Sequence, residues 1–243
     1  RAEADVSEAL VLAGTQRTPA GRFRSSIQLL ETGAFEDFGF TRLHVAGHPE
    51  GNRAIDPGDG CTRTEEVLLR KAQYARCTNA SMAIVSQIAF DARGILAWDE
   101  RLRQLGITLP VHLGIAGPAR LHTLLGHAIA SGVGPSISVL QNRIASGSGL
   151  RASLEPGSLL RDLSTGLAGR SDSLIERVHV LPLGGVGTAC DYLARQSASE
   201  FHRHAADGET DRPGLPSSRC SNLERRAHPF PSGRAGTRSD RRI

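Results

Sequence analysis

Between residues 9 and 197, short apolar runs alternate with amphipathic helical stretches, and no other feature constrains the fold as strongly. The strand candidates are Ala9–Ala13, Arg42–Ala46, Met82–Phe90, Pro110–Gly114 and Arg177–Leu183. They show little strict two-residue alternation, as strands buried on both faces require. Helical stretches follow them. Thr62-Arg-Thr-Glu65 is a capping-box pattern ahead of a helix whose Leu68, Ala72 and Ala75 share one face. Asp91 caps a second helix that carries Ile95, Trp98, Leu102 and Leu105 inward, and Gly106 closes it in a left-handed conformation. Pro118 opens a third, running through Leu121, Leu125 and Ile129. Further helices are predicted at about 25–36, 136–146, 157–168 and 187–197.

Strands alternating with helices imply a parallel sheet with crossover helices, either a barrel or an open doubly wound sheet. Five units are visible. A closed eightfold barrel needs ~250 residues for its body, so about three strand–helix units are lacking. Size alone favours an open five-stranded sheet.

Composition narrows the function classes. The chain has 243 residues and a formal net charge of +4, and Lys71 is the sole lysine among its 29 basic residues. A P-loop, which requires Gly-Lys-Ser/Thr, therefore has no place, and kinase or ATPase chemistry goes with it. Cys61, Cys77, Cys190 and Cys220 lack CxxC spacing and disulfide-scaffold density, so they read as reduced thiols with no metal. No apolar run approaches the ~18 residues of a membrane span. The opening Arg1-Ala-Glu-Ala-Asp-Val is polar and acidic, unlike a signal peptide, which points to a cytoplasmic protein. Arg1 stands where an initiator Met is expected, so the chain reads as a piece of a longer one.

Residues 198–243 carry 9 Arg against 6 acids and few large apolar residues without helical or strand period. Such a segment does not offset the entropy of ordering itself, and it reads as a disordered Arg-rich tail beside a folded 1–197. It lacks the interleaved aromatics of a nucleic-acid binder, so a solvated extension is favoured over a nucleic-acid module.

In both candidate architectures ligands lie at the carboxyl ends of the strands. The residues there are Gly14-Thr15, Gly47-His48-Pro49-Glu50, Gln87, Gly114 to Pro118, and Gly184 to Gly187. Small residues allow a flat ring system or phosphate to approach the backbone, and Gly184–Gly187 before a helix can present amides to an anion or form an ordinary turn. His48 and Glu50, two apart after a strand, suit ribose hydroxyls or phosphates; a plain polar loop is the alternative. Gln87 sits in an otherwise apolar strand end and needs partners for up to four hydrogen bonds, which suits reading a pterin edge or a nicotinamide amide. His112, His122, His127 and His179 read as packed or surface histidines.

The same segments carry a resemblance. Ala9-Leu-Val-Leu-Ala-Gly14, Leu29 to Gly33, Val45-Ala-Gly-His-Pro-Glu-Gly51, Ile84-Val-Ser-Gln-Ile-Ala-Phe-Asp91, Ala97-Trp98 to Ile107, Pro110-Val-His-Leu-Gly-Ile-Ala-Gly-Pro118 and His179 to Gly185 look like consecutive stretches of the methylenetetrahydrofolate reductase family. The resemblance implies a partial (β/α)8 TIM barrel of about five of eight units. It implies a flavin-dependent oxidoreductase that reduces 5,10-methylenetetrahydrofolate to 5-methyltetrahydrofolate with FAD and NADH or NADPH, in one-carbon and methionine metabolism. By the same resemblance His48 falls on the family's His-Pro-Glu motif that contacts FAD, and Gln87 on the glutamine serving folate and nicotinamide. Gly14 matches the glycine of a Gly-Asp pair, with Thr15 in place of the aspartate, and Lys71 lies in the helix that supplies cationic FAD contacts.

There are also departures from the family. A neutral Thr15 does not supply the aspartate's charge beside the flavin. No residue is assigned the family's general acid, which belongs to strands preceding Ala9. A five-unit piece leaves strand edges and an apolar interior open, so poor solubility or a partner, such as a homo-oligomer, is expected. A non-catalytic flavin- or folate-binding protein, or an inactive gene remnant, is the competing expectation.

Overall fold

In a computed structural model the described residues are 6–13, 21–52, 55, 62–131 and 134–206. Every predicted strand forms. They are β1 (Glu8–Val11), β2 (Arg42–Gly47), β3 (Ser81–Ser86), β4 (Val111–Ala116) and a later strand, Ile175–Leu181, numbered β7 because two short strands precede it. These five make one sheet in the order β1-β2-β3-β4-β7, with every neighbouring pair parallel.

That order follows the chain without a reversal, whereas a doubly wound sheet reverses at its switch point. Because crossovers between parallel strands are right-handed, a sequential order sends every connecting helix to the same face. The cores agree. Leu43, Val45, Ile84 and Val111 pack with Ile27 and Leu30 of α1 (Ser26–Leu30), Leu68 of α3 (Thr62–Tyr74) and Trp98 and Leu102 of α4 (Ala92–Gln104). Leu113 and Ile115 pack with Leu159 and Leu163 of α7 (Gly157–Leu167). The residues between them in the strands point the other way, where Leu10, Arg177 and His179 are exposed. The architecture is α/β with an open five-stranded parallel sheet, compatible with part of a barrel wall, and no closed barrel forms among the described residues. The helix-free face is also more polar than an apolar barrel interior: Glu8, Arg42, His44, His112 and His179 stand on it beside Leu10.

Local signals explain most boundaries. Asp91 Oδ1 and Oδ2 accept the Arg93 and Gly94 amides at 3.3 and 3.2 Å, capping α4. At its other end Gly106 has φ +73°, its amide reaches Arg103 O and the Ile107 amide reaches Leu102 O, a Schellman closure. Elsewhere the structure departs from expectation. The 25–36 helix is broken by Gly33 (φ +73°) into α1 and the single turn α2 (Ala34–Asp37). Glu65 forms an ion pair with Arg101 of α4 at 3.1 Å, and the residue preceding Thr62 lies outside the described residues.

Pro118 does not begin a helix. Ala119–Arg120 (β5) pairs antiparallel with Ser153–Leu154 (β6), and only then does α5 (Leu121–Ser131) start. Its buried face is Leu121, Leu124 and Ala128, and Ile129, through which the predicted helix runs, is 60% exposed. α6 (Gly134–Arg143) runs on into a π-helical turn, Ile144–Ser148. The last helix, α8 (Val186–Ala206), passes the boundary expected at 197 by nine residues. The chain separates into units 1–199 and 200–243; of the second, only 200–206 are described, as helix, and the rest of the Arg-rich tail lies outside the described residues.

Candidate functional site at the carboxyl end of the sheet

β2 and β3 are in register from Arg42↔Ser81 to Gly47↔Ser86. One step further, the Gln87 amide donates to Gly47 O at 2.8 Å, so His48 and Gln87 leave the sheet as neighbours on adjacent strands. Gly47 is a packing requirement: a Cβ there would lie 2.6 Å from Ile84 Cγ2 and 3.0 Å from the Trp98 ring, so only glycine lets α4 sit this close.

Lys71 comes from α3 to the same end. It is 2% exposed, and Nζ donates to Ala46 O at 2.8 Å. Among the described residues no carboxylate lies within ion-pair distance of it. Desolvation holds its pKa down at about 8. His48 is partly buried, and desolvation together with the Lys71 charge lowers its pKa to about 4, so it is a neutral imidazole at pH 7. A buried cation without a counter-charge is a group suited to an anion, since pairing offsets part of its desolvation cost. That chemistry fits an anion such as a phosphate or a carboxylate. The Gln87 side-chain amide makes no hydrogen bond to the described residues, so its donors and acceptors remain available.

Two neighbouring contacts brace the rim. The Ser86 hydroxyl donates to Gln87 O at 3.0 Å and accepts the Gly114 amide at 2.8 Å, bridging β3 to β4 where their backbone ladder has ended. A Cβ on Gly114 would stand 2.2 Å from Ser86 O. Glu50, by contrast, is not free for ribose hydroxyls. Its two oxygens accept the Ser136 amide at 2.9 Å and the Ser136 hydroxyl at 2.6 Å, which caps α6 with a remote carboxylate. Burial raises the Glu50 pKa, and the Ser136 hydrogen bonds partly oppose that rise.

Gly14 and Thr15 lie outside the described residues. Gly184, a candidate for anion binding, serves close packing: a Cβ would come within 2.0 Å of Pro118 O. Sequence reasoning missed Ser86 and Ser136, whose roles depend on partners 28 and 86 residues away. A small cleft of about 20 Å³, lined by Phe90, Ala116, Leu124, Arg143, Glu155 and Ser158 among others, does not include His48, Lys71 or Gln87. No helix among the described residues is long and apolar enough to cross a membrane. No protein-family model matches the chain.

Proposed function

We propose that this chain is a cytoplasmic flavin-dependent oxidoreductase of the methylenetetrahydrofolate reductase type, built on part of a (β/α)8 barrel. On this reading it reduces 5,10-methylenetetrahydrofolate to 5-methyltetrahydrofolate with NADH or NADPH. The observation that carries the reading is the meeting of His48, Gln87 and Lys71 at the carboxyl end of two adjacent strands, where barrel enzymes bind their ligands.

FAD, when bound, supplies the hydride relay between nicotinamide and folate. Lys71, fixed on α3, would supply the positive charge that holds the cofactor's phosphates. His48, neutral at pH 7, offers a hydrogen bond without charge. Gln87 presents both an amide donor and an acceptor to the edge of a pterin or nicotinamide, which a purely apolar strand end does not. No described residue takes the role of general acid.

The experiment is direct. The purified chain is incubated with FAD, desalted, and its absorbance recorded before and after anaerobic addition of NADH or NADPH. Retained flavin that bleaches with reduced nicotinamide supports the enzyme. Retained flavin that does not bleach supports a non-catalytic binder, and a chain that retains none overturns both.

A further inference from the structure

On the helix-free face, four residues before the His48 rim, two histidines meet. His44 of β2 and His112 of β4 have ring centroids 5.1 Å apart, tilted by 49°. They reach each other across β3 because the residue paired with His44 is Ala83, which projects only a methyl group. The Glu8 carboxylate lies 3.8 Å from His44 Nε2 and favours the tautomer with its proton on that nitrogen. Nδ1 is then a bare acceptor, and it is buried without a hydrogen-bond partner.

We propose that His44 and His112 form a binding site for a borderline divalent cation, Zn²⁺ or Ni²⁺, on the open face of the sheet. A buried imidazole lone pair with no donor is satisfied by a Lewis acid as well as by a hydrogen atom. A carboxylate on the far nitrogen is the arrangement that orients a metal-binding histidine, and imidazole suits these metals. Burial is the largest cause keeping both rings below the usual histidine pKa, so each is neutral at pH 7 and binding requires little proton release. His179 of β7, exposed on the same face, is a third imidazole whose charge is felt by both rings. The three do not already converge: no group of three His, Cys, Asp or Glu among the described residues is set as a metal sphere. The protein therefore supplies two ligands at the outset, with water in the other positions. The guanidiniums on this face are matched, Arg42 by Glu8 at 2.6 Å and Arg177 by Glu176 at 3.1 Å, which limits their repulsion of a cation.

The test is calorimetric titration of the full chain with zinc chloride at pH 7.5, and it is independent of the flavin reading. Binding at one site is expected, weakened tenfold or more in His44→Gln and in His112→Gln, and about tenfold in Glu8→Gln. It is expected unchanged in a His202→Gln, His204→Gln double variant, which removes the most closely spaced histidine pair of the sequence. His112 is only partly buried, so His112→Gln keeps the proposal open to refutation even if His44→Gln melts early. Absence of binding, binding that survives His112→Gln, or binding lost in the double variant overturns it.

Discussion

At the amino end of the sheet Asp99 is fully buried, yet its charge is matched by a cation. Oδ1 accepts the Leu174 amide at 2.9 Å, just ahead of β7, and Oδ2 faces Arg103 Nε at 3.5 Å, while Arg103 also pairs with Glu100 and Asp172. At the carboxyl end Lys71 is buried almost as deeply and has one carbonyl oxygen. Two buried charges of opposite sign thus sit at opposite ends, one matched within the fold and one unmatched. The difference separates a group retained for stability from one that costs stability and is suited to a ligand. In parallel α/β folds that division follows the ends of the strands.

Breaking the matched end produces the largest expected effect. Asp99→Ala leaves the Leu174 amide without its acceptor and takes away one of the three carboxylates around Arg103, and is expected to cost about 2 kcal/mol. Urea denaturation followed by far-UV circular dichroism measures it. A loss below about 0.5 kcal/mol, within the range of ordinary surface substitutions, would remove the contrast.

The unmatched end should respond with the opposite sign. Lys71→Met keeps most of the side-chain volume and removes the desolvated charge, at the loss of one hydrogen bond to Ala46. The net expectation is a gain of about 1 kcal/mol at pH 7, together with loss of flavin retention. The pH dependence sharpens it. The folded Lys71 releases its proton near pH 8, whereas the unfolded chain holds it to about 10.5, so between these values the unfolded state binds more protons and stability rises with pH. Below pH 8 the full cost of the charge is present. The rise is expected in the wild-type chain and absent from Lys71→Met. Taking the difference between the two removes the opposing contribution of Tyr74 and Tyr192, whose pKa values are raised. A destabilised Lys71→Met with unchanged pH dependence would make Lys71 a structural peg.

The sequence exposes the scaffold of this contrast more fully than its chemistry. Strands could be located because they are short apolar runs, and His48 could be singled out because it follows such a run by two residues, Gln87 because it is an amide near the end of one. Lys71 follows Leu68 by three residues and precedes Ala75 by four, so its place on the inward face of α3 was readable in principle from helical spacing. Its lack of a counter-charge was not, since that depends on what the other elements bring near. Asp99 looks like any polar residue in the middle of a helix, and only the return of the chain at Leu174 gives it a purpose. His44 and His112 meet because of strand register, which the isolated strands do not encode. Pro118 misled because two residues of antiparallel ribbon intervene before α5, a long-range pairing that overrides a local helix-start signal.

The smallest expected effect on stability tests whether the rim needs bracing at all. Ser136 is fully buried; its hydroxyl donates to Glu50 and accepts the Phe90 amide at 3.2 Å. Ser136→Ala removes both contacts and keeps the amide of residue 136 on Glu50, so about 1 kcal/mol of stability is expected to be lost, typical of a helix cap. Glu50 is two residues from His48 in the same loop, and freeing one of its oxygens loosens the position of the imidazole. Thermal melting should therefore register a modest change, while flavin retention falls by more than the stability loss alone explains. If melting and retention instead fall in proportion, Glu50 only holds α6 in place, and the rim owes its geometry to the two strand ends.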